Sequence, residues 1–219
     1  MEGPRAFGYK MGWLAARTVE PERLIAHLML DEVAPMRWAE GIDTVYASEG
    51  FGDQPVFVTP CLDGWVLAAS PAFFEEASEE APHRLATFVA HASERLDTEV
   101  QLFVTHRVVE GHAWARAEHG LLVRALYYLG EVGEYLVDDG LVTEAEVASG
   151  FARAIDGDAE PNEAMVMEIA RGWSVDPTQI EERFSDVADG WLGWIRRAPD
   201  SDPERSPAPT EARPWWRFW

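Results

Sequence analysis

The clearest repeating pattern of apolar positions runs from Pro82 to Leu96. Leu85, Phe88, Val89, Ala92 and Leu96 fall at i, i+3, i+4, i+7 and i+11, a spacing that stacks side chains along one face of an α-helix. From Val100 to Leu129 the rhythm changes to alternation, which predicts three consecutive antiparallel strands. Glu110-Gly111 reads as a two-residue turn, and Glu118-His119-Gly120 as a three-residue hairpin loop with glycine in the left-handed position. Those turns set a register with Trp114 between Arg107 and Arg124, His112 opposite Val109, and Ala117 opposite Leu121. One face of this block then carries Thr105, Arg107, His112, Trp114, Arg116 and Arg124. The other carries His106, Val108, Ala113, Ala115, Ala117, Leu121, Val123 and Tyr127. Small alanines let a helix approach a sheet closely, so the alanine face belongs under the Leu85–Leu96 helix and the arginine face points outward.

Weaker signals place further elements. Met11–Arg17 reads as a strand. Pro21 opens a helix with Leu24, Ile25 and Leu28 on one face. Val56–Thr59 and Trp65–Ala68 flank a turn at 60–64, a hairpin signal. Ser70-Pro71 caps a short helix. A loop at 130–134 leads into a short apolar run ending at Val137. Thr143 and Glu146 form a capping box, with the acid three residues after the cap. Pro161 opens a helix with Met165, Val166, Ile169 and Ala170 on one face, Asp176-Pro177 caps another bearing Ile180 and Phe184, and Trp191–Ile195 reads as a last strand.

Strands joined by hairpins, with helices between them rather than regular β-α-β alternation, predict an α+β fold: an antiparallel or mixed sheet with amphipathic helices mainly on one face. Residues 1–197 form one domain. Residues 198–214, APDSDPERSPAPTEARP, are rich in proline and charge and poor in large apolar groups. Such a stretch buries too little surface to offset its ordering entropy, so a disordered, extended linker is expected, reaching roughly 50 Å at ~3.1 Å per residue. An aromatic motif, Trp215, Trp216, Arg217, Phe218 and Trp219, closes the chain.

Charge narrows the functional classes. The formal net charge is -21, which opposes sequence-independent binding to nucleic acid and adsorption to anionic lipid. A basic protein partner fits instead. No apolar run is long enough for a membrane span, and the N-terminus lacks the apolar core of a signal peptide, so a cytoplasmic location is expected. Abundant alanine, with Lys10 the only lysine among many arginines, suggests a GC-rich bacterial source. The single cysteine, Cys61, leaves no internal disulfide.

Two surfaces carry candidate chemistry. Arg107, His112, Trp114, Arg116 and Arg124 form a candidate ligand-binding face, since guanidinium forks match carboxylate and phosphate oxygens. Its competing reading is structural: with 39 acidic residues available, those arginines pair with the protein's own glutamates. The tail residues 215–219 are a candidate partner-binding motif, because tryptophan and arginine dominate interface hot spots. The tail has three candidate hosts: its own domain, another protein or a second copy of this chain, and a membrane interface. The spacing of His106, His112 and His119 matches no common metal site, and no phosphate loop, dinucleotide fingerprint or nucleophile elbow is present. No metal and no cofactor are expected. The sequence therefore favours a non-enzymatic interaction module with an acidic surface for a basic partner, in its most specific form an immunity-type inhibitor of a cationic toxin. The alternative is an enzyme or small-anion binder on the Arg107, Trp114 and Arg124 face, with His112 and Glu110 as the acid-base pair.

Overall fold

A computed structural model describes residues 3–48, 52–107, 109–151 and 160–196. The segment 197–219, with the linker and the aromatic motif, lies outside the described residues, as does Val108. The chain folds as α+β. Among the described residues there are nine strands: β1 (Met11–Ala16), β2 (Asp31–Met36), β3 (Gln54–Val58), β4 (Val66–Ala69), β5 (Glu99–His106), β6 (Gly111–Glu118), β7 (Leu121–Leu129), β8 (Glu134–Gly140) and β9 (Gly190–Ile195). They form one sheet in the order β2-β9-β3-β4-β1-β5-β6-β7-β8, with every neighbouring pair antiparallel. The helices are α1 (Pro21–His27), α2 (Trp38–Tyr46), α3 (Arg84–Leu96), α4 (Glu144–Ala148), α5 (Glu163–Trp173) and α6 (Ile180–Arg183).

The sheet is covered on both sides, and β1 shows why its sequence is apolar throughout. Trp13 and Ala15 enter one core while Leu14 and Ala16 enter the other. The first core also takes Trp38 and Ile42 of α2 and Val166, Ile169 and Trp173 of α5. The second takes Leu24 of α1 and the Leu85, Val89, Ala92 and Leu96 stripe of α3. As the alanine pattern implies, α3 lies against Ala113, Ala115 and Ala117 of β6 and Ala125 of β7. The opposite face of β5–β7, expected to point outward, lies instead under α4 and α5, and both Trp114 and Arg124 are fully buried there.

The hairpin registers differ from those the turns implied. His119 (φ 48°) and Gly120 (φ 84°) make a two-residue turn, the left-handed geometry that matches strand twist. A bulge between Arg116 and Ala117 then brings Arg124 opposite Arg116 and Leu126 opposite Trp114. At the other end His106 pairs with Gly111, so Arg107 to Glu110 form the connection and Trp114 lies opposite Phe103, not Arg107. Both slips are even-numbered, so His112, Trp114, Arg116 and Arg124 still share one face. The α5 helix starts later than Pro161 suggests, with Asn162 as its cap: its Oδ1 accepts from Met165 N at 3.1 Å.

Strand β2 and helix α2 have no counterpart in the elements predicted above. All but one residue of β2 are exposed, and it carries Pro35, so it is an edge strand without an alternating core face. Helix α2 packs on β3 so closely that a Cβ on Gly41 would sit 2.2 Å from Phe57 Cδ2. Strand β8, read from sequence only as an apolar run, is the other edge, exposing Glu134, Tyr135 and Asp139.

Candidate functional site

The first-core face of β5, β6 and β7 carries a seam of polar side chains, among them Glu99, Gln101, Thr105, His112 and Arg124, all buried. Burying such groups is tolerable only where each finds a partner. Two parts of the seam meet that demand differently.

At one end the partner comes from α4. The capping box forms: Thr143 Oγ1 accepts from Glu146 N, while Glu146 Oε2 accepts from Thr143 N at 2.7 Å and from Thr143 Oγ1 at 2.8 Å. That geometry turns the other oxygen, Oε1, into the sheet. There it accepts from Trp114 Nε1 at 2.9 Å and from Arg124 Nε at 2.7 Å. Arg124 Nη1 donates to Asp138 Oδ1 at 2.7 Å and to the Asp139 carbonyl at 3.0 Å. Glu146 and Arg124 are both fully buried. Arg124 Nη2 is a buried donor without a partner among the described residues. Arg116, across the strand from Arg124, lies 2.6 Å from Glu99 Oε1, with its guanidinium 6.0 Å above the Trp173 ring. Each of these cations thus has a carboxylate of its own, and Trp114 packs edge-on against Phe151.

At the other end the cover is incomplete. The Arg107–Glu110 connection, the strand residues His112 and Tyr128, and the residues leading into α5 surround a cleft of about 400 Å³, lined by Arg107, Glu110, His112, Tyr128, Glu160 and Glu163 among others. Arg107 donates from Nε and Nη2 to Glu163 Oε2 at 3.2 and 3.1 Å, and Thr105 Oγ1 donates to Glu163 Oε1 at 3.1 Å. His112 is buried, and its Nδ1 has no hydrogen-bond partner among the described residues. Burial, only partly opposed by Glu163, pulls its pKa down to about 4, so the ring is neutral at pH 7. Burial raises the Tyr128 phenol, and Glu160, Tyr135 and Glu110 push it in the same direction. The phenol therefore remains a donor.

The five residues predicted as a ligand face thus fall into separate settings. Trp114 and Arg124 join Glu146, Arg116 joins Glu99, and only Arg107 and His112 line the cleft. Glu163, Tyr128 and Glu160 were not singled out by sequence, and Glu146 was visible only as a helix cap. The histidines are dispersed: His106 packs edge-on against Phe74, and exposed His119 lies 2.9 Å from Asp97. Among the described residues no three metal-binding side chains gather, and no helix is long and apolar enough to cross a membrane. The tail residues Trp215 to Trp219 lie outside the described residues. No protein-family model, no curated protein and no solved structure matches this chain.

Proposed function

We propose that this protein is a non-enzymatic interaction module whose acidic surface binds a basic protein partner. The observation that carries the reading is how its arginines are engaged. Arg5 pairs with Asp43, Arg84 with Glu76, Arg107 with Glu163, Arg183 with Asp63, and Arg196 with Asp31, Glu32 and Asp53. With these cations matched internally, exposed carboxylates remain unmatched by them among the described residues, including Glu134 and Asp139 on the β8 edge, in a chain whose formal net charge is -21. A field of one sign speeds encounter with an oppositely charged partner and rejects like-charged ones. Neutralising a cationic toxin, as immunity-type inhibitors do, is the most specific form of this reading, and a cytoplasmic setting suits it. Less supports an anion site on the Arg107, Trp114 and Arg124 face, because Glu146, Asp138 and Glu163 already occupy its two guanidiniums.

The test is affinity capture with the full-length chain at low and high salt, repeated with a chain ending at Arg197. Captured proteins should be basic and should be released by salt. Partners that are neutral or acidic, or that stay bound at high salt, would sink the reading. A partner lost with the shortened chain assigns the anchor to residues 198–219.

A further inference from the structure

We infer that the cleft lined by Arg107, Glu110, His112, Tyr128, Glu160 and Glu163 is a binding site for an organic primary ammonium group, supplied by a lysine side chain of the partner or by a free alkylamine. This deepens the proposed function and rests on it. The cleft, at about 400 Å³, is within the size range of small-ligand sites. The one cation among its described lining residues, Arg107, is already matched, because its Nε and Nη2 both donate to Glu163, whose other oxygen accepts from Thr105. Glu110 and Glu160 also line the cleft, are exposed, and have no basic side chain paired with them among the described residues. An anion would meet both of these carboxylates; a cation is attracted by them.

Its polar floor narrows the class further. His112 lines the cleft and is only 4% exposed; its Nδ1 is sealed from solvent and lacks a partner among the described residues, which leaves Nε2 as the nitrogen that can face a ligand. A neutral imidazole offers one nitrogen as an acceptor, and an ammonium carries three N–H donors. Glu110, Glu160 and the imidazole are acceptors among the cleft's lining residues, and Glu160 and Glu110 both push the Tyr128 phenol pKa up. On the rim, Glu110 is backed by the turn after β7. Glu110 holds a left-handed backbone, φ 50°, which a side chain adopts at a cost. Gly130 N donates to its carbonyl at 3.0 Å, and a Cβ on Gly130 would fall 2.6 Å from Glu110 Cβ. Strain held by surrounding structure at a cleft rim is characteristic of a pre-organised site.

The experiment titrates the full chain with n-butylamine, protonated at neutral pH, and follows the ring signals of His112 and Tyr128 by NMR. Expected is a saturable shift with Kd near ~1 mM. Tetramethylammonium, which has the charge but no N–H, should cause none. The double variant Glu110→Gln, Glu160→Gln should bind at least ~10-fold more weakly, with an unchanged thermal midpoint because both positions are exposed. Equal shifts with tetramethylammonium, or equal affinity in the double variant, would overturn the site. Acetyl-lysine methylamide identifies the source: tighter binding than butylamine points to a partner's lysine, weaker binding to a free amine. The double variant in the capture assay separates the two proposals. Capture that is undiminished while butylamine binding is lost removes the cleft from partner recognition and leaves the acidic-surface reading standing. Butylamine binding without any basic partner captured does the reverse.

Discussion

His112 and Trp114 are alternate residues of β6, share one face of the sheet and are both buried, yet their ring nitrogens fare differently. Trp114 Nε1 reaches Glu146; His112 Nδ1 reaches nothing among the described residues. The strand treats the two positions alike, so the difference lies in what covers them. Over Trp114 sits a helix whose own capping box aims a carboxylate into the sheet. Over His112 sits the approach to α5, whose first-turn acid, Glu163, is held by Arg107 and Thr105. One sheet face therefore supports a covered polar network, in which Nη2 alone of the Arg124 guanidinium nitrogens lacks a partner among the described residues, and an open cleft side by side.

The harshest way to break the contrast is Glu146→Ala. It leaves Arg124 buried with only Asp138 as a charged partner and removes the acceptor of Trp114, so a loss of ~3–5 kcal/mol is expected in urea unfolding. A loss below ~1 kcal/mol would mean that water enters the network freely. Trp114→Phe keeps most of the packing and deletes one hydrogen bond to a carboxylate, for which ~1.5–3 kcal/mol is expected; chemical denaturation of the two proteins side by side measures it.

The cleft end responds to pH. His112 titrates near 4 in the fold and near ~6.5 when unfolded. Between those values the unfolded chain takes up a proton that the folded chain refuses, so this residue's share of stability is present above ~6.5 and is lost as pH falls toward 4. Between pH 7 and pH 5 that share is ~2 kcal/mol. A His112→Phe variant should lose that much less stability than wild type over the same interval; parallel pH profiles would show that His112 protonates without cost. The smallest effect belongs to Arg107→Ala. Its side chain is 70% exposed, so its ion pair should contribute less than ~1 kcal/mol, and a larger loss would show that Arg107 holds the start of α5 in place.

How far the sequence predicts this contrast depends on the range of the interactions. Local patterns carry through: the Leu85–Leu96 stripe, the Thr143–Glu146 box, the cap-and-proline at Asp176-Pro177 and the alternation that sets His112, Trp114 and Arg124 on one face. The α+β class follows from them. Register does not, because the Arg107–Glu110 connection and the bulge beside Arg116 are decided by the whole sheet. Strand β2 is almost wholly exposed and gives no periodic signal. The least legible feature is the cover on the second face. Arginine, histidine and threonine on a strand read as solvent-facing, and nothing near Arg124 in sequence announces that Glu146 will fold over it. The cleft was half visible, through Arg107 and His112; its carboxylates Glu160 and Glu163 arrive from a distant part of the chain.

The place of β9 in the sheet has a kinetic consequence. This strand, the last in the described chain, is inserted between β2 and β3 and is, among the described residues, the only strand that β2 pairs with, so that Asp31 finds its cross-strand neighbour at Trp194. While β9 is unpaired, β2 has no sheet to join and the apolar edge of β3, with Val56, Phe57 and Val58, lies open to other chains. Closing so long a loop is slow, and unpaired strand edges are where folding chains aggregate. Refolding should therefore be biphasic, with a fast β5–β8 phase driven by consecutive hairpins and a slow phase that completes β2-β9-β3, and yield should fall with protein concentration during the second phase.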